Sequence, residues 1–182
     1  MKLTKLASLA LLASATFNSW AQINTTDLEE VINTSMTRFD VPGMAVAVVQ
    51  DDKVVFAKGF GTSNLNTNAK VNKDTLFGIA SNTKAFTSAA LAKLVDEGKL
   101  SWDDRVIDHL PEFRLYDSYV TREMRVRDLL SHRSGLGLGQ GDLMIWPSTD
   151  KSIEDILAGL QYLKPASSFR SQYAYNNLMF VT

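Results

Sequence analysis

Ser81 and Lys84 lie three residues apart in the stretch FGIASNTKAFTSAALAKLVDEGKL, residues 77–100. In a helix, positions i and i+3 share a face, so hydroxyl and amine would point the same way. A serine hydroxyl is a poor nucleophile until a base removes its proton. A lysine amine is ordinarily protonated at neutral pH and becomes a base only where burial or a cationic or polar neighbour loosens that proton. A helix start adds free N–H groups and the positive end of the macrodipole, which stabilise a developing alkoxide or oxyanion. The spacing alone is common in proteins, and Ser148 with Lys151 repeats it here. That second pair follows Pro147 in a polar turn, with Asp150 placed to compete for the amine, and reads as fortuitous. Ser81 differs because an apolar run precedes it and a long amphipathic pattern follows.

A second group of reactive side chains lies near the end of the chain. Tyr175-Asn176-Asn177 is the only Tyr-x-Asn in the sequence. A tyrosine beside a cationic amine can share in proton transfer. An asparagine can hold a lysine through its carbonyl and offer its amide to a substrate carbonyl. The predicted catalytic set is therefore Ser81, Lys84, Tyr175 and Asn177. His109 and His132 read as satisfied turn or core histidines. A Ser-His-Asp hydrolase built on either would need a strand–turn–helix elbow, and no G-x-S-x-G occurs.

The elements that must position these residues can be read from periodicity and turn chemistry. Thr26 with Glu29 suggests a capping box opening a helix over 27–38. Met44–Val49 and Val54–Phe60 read as two strands of a hairpin around Asp51-Asp52, a weaker turn signal than Asp-Gly. An asparagine-rich loop over 62–74 follows. A mostly helical region spans about 82–165. It begins with the helix after Ser81, which stops at Gly98. Ser101 with Asp104 suggests another helix start, Val126–Leu130 a short helix, and Ser152 with Asp155 the cap of one more. Val106, Leu110 and Phe113 read as core anchors around Pro111. A two-stranded hairpin is marginal alone, so partner strands are expected beyond Thr182. The chain stops within the apolar run NNLMFVT, which predicts an N-terminal portion of a longer domain occupying 22–182.

Residues 1–21 read as an export signal. Lys2 and Lys5 precede a short apolar core from Leu6 to Phe17, and Ser19-Trp20-Ala21 offers small residues for cleavage after Ala21. The apolar run is too short to span a bilayer, so a periplasmic or secreted protein is predicted, without a membrane span after cleavage. The formal net charge is −1, which suggests no nucleic-acid or anionic-membrane partner. With no cysteine the protein relies on its core rather than on disulfides. Two histidines, no cysteine and no HExxH argue against a transition-metal site, and no cofactor is implied. The predicted partner is a small-molecule or peptide substrate. The oligomeric state is not legible.

LFGIASNTKAFTSAALAKLVDEGKL, VRDLLSHRSGL and YAYNN, in this order, resemble the serine β-lactamase and penicillin-binding protein family. They most resemble the branch holding class C β-lactamases, D-aminopeptidases and related esterases, in which Tyr-x-Asn replaces the Ser-Asp-Asn of class A enzymes. The resemblance implies an α+β fold, with an antiparallel sheet covered by helices and a mostly helical region, here lacking the C-terminal strands. It implies that Ser81 is acylated and Lys84 is its base. Tyr175 would relay a proton to the leaving group, and Asn177 would orient Lys84 and the substrate. The backbone N–H of Ser81 would supply half of an oxyanion hole, and His132 would hold a structural turn near the site. The implied activity is an exported serine hydrolase acting on amide, β-lactam, D-peptide or ester substrates. The alternative is a non-catalytic relative that binds cell-wall peptides. The family's third element, Lys-Thr-Gly or His-x-Gly on a strand, is absent from these 182 residues. Its absence implies that this piece alone is inactive or does not fold independently.

Overall fold

The computed structural model describes residues 24–182; the predicted export signal lies outside them. Two compact units divide between Phe77 and Gly78.

The first unit is a helix on a small antiparallel sheet. Helix α1 spans Thr25–Arg38, and strands β1 (Gly43–Gln50), β2 (Lys53–Asn64) and β3 (Ala69–Lys70) pair in that order. The cap of α1 differs from the Thr26–Glu29 prediction. Asn24 caps instead, its Oδ1 accepting from the N–H groups of Thr26 (3.0 Å) and Asp27 (3.5 Å). Asparagine outranks threonine at this position, and the helix starts earlier than periodicity alone indicates. The hairpin turn is tighter than Asp-Asp suggested. Asp51 and Asp52 both adopt positive φ, 51° and 60°, as the right-handed twist of a two-residue hairpin requires. The predicted 62–74 loop is partly sheet. Asn64 Oδ1 accepts from Asn66 and Thr67 N–H groups, and this side-chain turn reverses the chain into β3. Ile32, Phe56 and Phe60 form the core, flanked by Leu28, Met36, Met44, Val46 and Val48. Helix α1 thus covers the hairpin with its apolar stripe.

The second unit carries the catalytic candidates. Helix α2 spans Thr83–Asp96, and a 3₁₀ turn, Ala80–Asn82, precedes it. The helix therefore begins two residues after Ser81, which sits in the tight turn leading into it. Gly98, at φ +67°, ends it as predicted. Short helices follow: α3 (Val106–His109), α4 (Ser118–Glu123), α5 (Val126–Leu130), α6 (Ile153–Gly159) and α7 (Leu178–Val181). Ser101 and Asp104 close a turn rather than start a helix. Asp104 Oδ2 accepts from the Ser101 N–H at 2.8 Å, and the next helix begins only at Val106. Helix α4 was not anticipated. Its start is set by Asp117, whose Oδ1 accepts from Tyr119 and Val120 N–H groups. Ser152 and Asp155 form the reciprocal capping box of α6 that the sequence predicts.

Val106, Phe113, Met124, Leu129, Leu136, Ile156, Leu160, Leu178 and Met179 form one apolar core. Leu178 and Met179 belong to the turn of helix directly after Asn177, so packing of α7 fixes the Tyr175–Asn177 segment. No residue of α2 is buried. Its side beside α5 and α7 borders an open apolar groove of about 350 Å³, lined by Leu91, Leu129, Met179 and Phe180.

Candidate active site

Four elements of the second unit converge on Ser81. The first is the turn that carries it. Ala80 has φ +45°, a left-handed conformation that a residue with a Cβ enters only at a cost. That strained residue sits between Gly78-Ile79 and the serine, where the chain bends sharply before α2. The first turn of α2 then supplies Lys84. Its Nζ lies 3.3 Å from Ser81 Oγ and donates to Asn177 Oδ1 at 2.7 Å.

The second element is the segment that leads into α7. Tyr175 directs its hydroxyl to Ser81 Oγ at 2.8 Å. Lys84 Nζ lies 4.9 Å from the centre of the Tyr175 ring and 5.4 Å from that of Phe180. The amine is thus flanked by two aromatic faces, within cation–π range of both. The phenol of Tyr175 is held below the ordinary tyrosine value, first by Lys84 and then by the hydrogen bond with Ser81. Both neighbours of Ser81 Oγ are thus groups able to exchange a proton with it. The structure brings Ser81, Lys84, Tyr175 and Asn177 into one hydrogen-bonded cluster. The look-alike lysine, Lys151, has its backbone N–H on Thr149 Oγ1 in a surface turn instead.

Adjacent asparagines in Tyr175-Asn176-Asn177 take opposite roles, because Asn176 is buried while Asn177, in the αR conformation, opens α7. Asn177 faces Lys84. Asn176 is fully buried and donates to the Gln140 carbonyl at 2.9 Å, while its Oδ1 accepts from the Leu178 N–H at 3.0 Å. It fastens the segment carrying Tyr175 and Asn177 to the glycine-rich loop over 135–141.

The third element is the turn at His132. This residue has φ +56° and is buried. Its carbonyl accepts from the Ala174 N–H at 2.9 Å, and its Nδ1 accepts from the Asn176 N–H at 3.2 Å. Its ring stacks on Tyr175 with centroids 4.4 Å apart. The histidine therefore clamps the tyrosine by backbone, ring nitrogen and ring face, and it does not reach Ser81 with a hydrogen bond. An Nδ1 that accepts a hydrogen bond must carry a lone pair, so the ring is neutral in the folded protein. Burial, and then the charge of Lys84, push its pKa down. The unfolded chain thus binds this proton more readily. The stability His132 contributes is complete above about pH 6.5 and is lost as pH falls below that value. We expect the melting temperature to drop between pH 7.5 and 5.5, and His132→Gln to flatten that dependence. The carboxylates whose pKa values are lowered act at more acidic pH.

The fourth element escaped the sequence reading. Asp142 opens a 3₁₀ turn after Gly141, whose φ is +87°. A Cβ at 141 would overlap the Leu178 side chain, so only glycine allows this approach. Asp142 Oδ2 accepts from Asn177 Nδ2 at 2.9 Å. An acidic residue after a run of glycines was its only sequence signal. A second unforeseen pair lies behind the site. Asp128 is buried and receives Arg170 through two bonds, Nε at 2.9 Å and Nη2 at 2.6 Å. That pair ties α5 to the loop that leads into Tyr175.

The β-lactamase family profile matches residues 28–181. Among curated proteins, the unguisins hydrolase ungD' of Aspergillus campestris is 37% identical over 164 residues, covering 85% of this chain and 30% of that protein. Protein flp of Staphylococcus aureus is 32% identical over 109 residues, covering 60% of this chain and 22% of that protein. Among solved structures, the octameric penicillin-binding protein homologue of Pyrococcus abyssi superposes with a TM-score of 0.71 at 28% identity, covering 87% of this chain and 37% of that one. The D-amino acid amidase of Ochrobactrum anthropi superposes at 0.69 with 21% identity, covering 87% of this chain and 42% of that one, a likeness of fold alone. The chain thus spans 30% or less of these curated relatives and under half of these solved structures. The fold is that of the β-lactamase and transpeptidase group, with helices and a three-stranded antiparallel sheet. Matched across most of its length, the chain belongs to the β-lactamase family, whose members are generally serine hydrolases.

Proposed function

We propose that this protein is an exported serine hydrolase that works through an acyl-enzyme on Ser81. One observation carries the reading: the Ser81 hydroxyl has two proton-exchanging groups beside it, Tyr175 at 2.8 Å and Lys84 at 3.3 Å. In acylation, Ser81 Oγ attacks the substrate carbonyl and its proton passes to the Lys84–Tyr175 pair. Both groups lie beside the Ser81 hydroxyl, so the pair serves as its base. The tetrahedral oxyanion forms at the N–H of Ser81 and collapses as Tyr175 delivers the proton to the leaving amine or alcohol. Water then attacks the acyl-enzyme, with the same pair removing its proton, and Ser81 is released. Asn177 holds Lys84 through its carbonyl and has an amide proton to offer the substrate.

The substrate class is an ester, an amide, a β-lactam or a peptide of D-amino acids. Export is supported by the signal pattern in residues 1–21 and places the enzyme in the periplasm or outside the cell. Because the chain spans under half of its solved relatives, activity is to be measured on the full-length protein. The test is a fluorophosphonate or penicillin probe followed by peptide mass spectrometry. The adduct is expected on the peptide holding Ser81. An adduct elsewhere would overturn Ser81 as the acylated residue, and saturable binding with no adduct would overturn acyl transfer in favour of a binding protein.

A further inference from the structure

We propose that Asp142 is a positioning residue of the catalytic base: it fixes the amide of Asn177 so that the carbonyl, and not the NH₂, faces Lys84. This inference rests on the acyl-transfer reading above and assigns a role to a residue that reading does not use.

The argument begins with what each group can exchange. A carboxylate only accepts hydrogen bonds, and an ammonium only donates them. Asn177 lies between the two, with Nδ2 2.9 Å from Asp142 Oδ2 and Oδ1 2.7 Å from Lys84 Nζ. A flipped amide would set NH₂ against the ammonium and the carbonyl against the carboxylate, losing both bonds. The two charged partners thus admit one orientation. Without Asp142, only Lys84 would select it, and a deprotonated Lys84 would accept from an NH₂ as readily as it donates to a carbonyl. The amide would turn at the step where the amine must act as base. One Nδ2 proton goes to Asp142 and the other remains for a substrate carbonyl, so the same contact aims the substrate-binding proton.

The second observation is the other carboxylate oxygen. Asp142 Oδ1 is buried, and among the described residues it is the one buried side-chain N or O without a hydrogen-bond partner. Such an atom costs stability. A carboxylate held at that cost beside the base is poorly explained by folding alone. The loop also commits itself to the placement. Gly139 N–H donates to the Tyr175 carbonyl at 2.9 Å, and Asp142 N–H donates to the Gly139 carbonyl at 3.0 Å. The loop that holds Tyr175 therefore also carries the carboxylate that holds Asn177.

Among the described residues, the ionisable groups around Lys84 are Tyr175 and His132, and Asp142 through Asn177. Asp142 is the only acid among them, and its charge opposes ionisation of the Tyr175 phenol. Replacing it by asparagine keeps an acceptor for Asn177 and removes the charge. Replacing it by alanine removes both.

The experiment measures the second-order rate of fluorophosphonate labelling from pH 5 to 10 in full-length protein. Native enzyme, Asp142→Asn, Asp142→Ala, Ser81→Ala and Lys84→Ala are compared. Asp142→Ala is expected to label roughly 10- to 100-fold more slowly, the cost of a misplaced catalytic group. Asp142→Asn is expected to lose less and to shift its acid limb to lower pH by roughly half a unit, because the negative charge that favours protonated neighbours is gone. Should the alanine variant not fold, the asparagine variant carries the test through its acid limb. Equal losses in both variants with an unmoved acid limb would make Asp142 a structural prop and overturn the proposal. Native rates in both, with labelling lost in Ser81→Ala and Lys84→Ala, would overturn it and leave the acyl-enzyme reading standing. Undiminished labelling in Ser81→Ala would remove the acyl-enzyme reading and this proposal together.

Discussion

Replacing Lys84 by methionine is expected to slow acylation of Ser81 by about 10³-fold, within the range that a positioned general base supplies. Ser81→Ala should lose the adduct altogether. Methionine keeps the length and apolar character of the lysine stem, so the packing between Tyr175 and Phe180 survives while the amine is lost. The pH profile separates this effect from simple misfolding. In the native protein Lys84 is the first cause of the lowered Tyr175 phenol. Without the cation, the phenolate loses its main support and the phenol returns towards the ordinary value near 10. The residual rate of Lys84→Met should therefore rise with pH along a limb displaced to the alkaline side of the native one. Stopped-flow or gel-based labelling across pH 6 to 10 reads both quantities. A native rate in Lys84→Met, with the fold intact by circular dichroism, would show that the amine is not the activator.

The largest stability effect outside the apolar core is expected at Arg170. Its guanidinium is 43% exposed, yet its partner Asp128 is only 8% exposed. The two replacements are therefore unequal. Arg170→Met leaves a buried carboxylate with the Arg125 N–H as its remaining donor, which should cost about 3 kcal/mol, the lower end for a broken buried pair because water reaches the arginine side. Asp128→Ala frees an arginine that can turn to solvent and removes the capping acceptor of α5, costing about 1–2 kcal/mol. The double variant should cost less than the sum, because the second change relieves the stranded charge. Urea titration of the four proteins closes the cycle. The pair also bears on catalysis. Arg170 adopts φ +62° and its N–H donates to the Arg133 carbonyl at 2.8 Å, four residues before Ala174 joins His132. Loosening it should lower turnover through Tyr175 while substrate affinity changes little. Unchanged stability in Arg170→Met would show that the ion pair contributes nothing to the fold.

The relation between sequence and site is uneven for physical reasons that particular residues show. Ser81 and Lys84 were legible because their relation is local: one turn of backbone sets the distance, whatever the rest of the chain does. The stop at Gly98, the cap at Ser152 and the short helix at Val126–Leu130 were legible for the same reason. Where two local signals competed, the weaker one misled. Asn24 outbid Thr26 for the cap of α1, Ser101 with Asp104 made a turn, and asparagines taken for loop built a turn into β3. Tyr175 and Asn177 are legible as candidates, but spacing says nothing about whether residues so far apart in the chain meet.

That meeting belongs to tertiary structure. Burial of Leu178 and Met179 in the core, the His132 clamp and the Asp128–Arg170 tie together carry the tyrosine to 2.8 Å from the serine. Asp142 became visible only there, since a hydrogen bond across 35 residues leaves no periodicity to read. The sequence by itself determined the candidate pair, the family and part of the local elements, because these depend on neighbours in the chain. Tertiary packing decided which asparagine faces the amine, which carboxylate stands behind it and which histidine holds the ring, because those choices depend on surfaces that exist only once the core has closed.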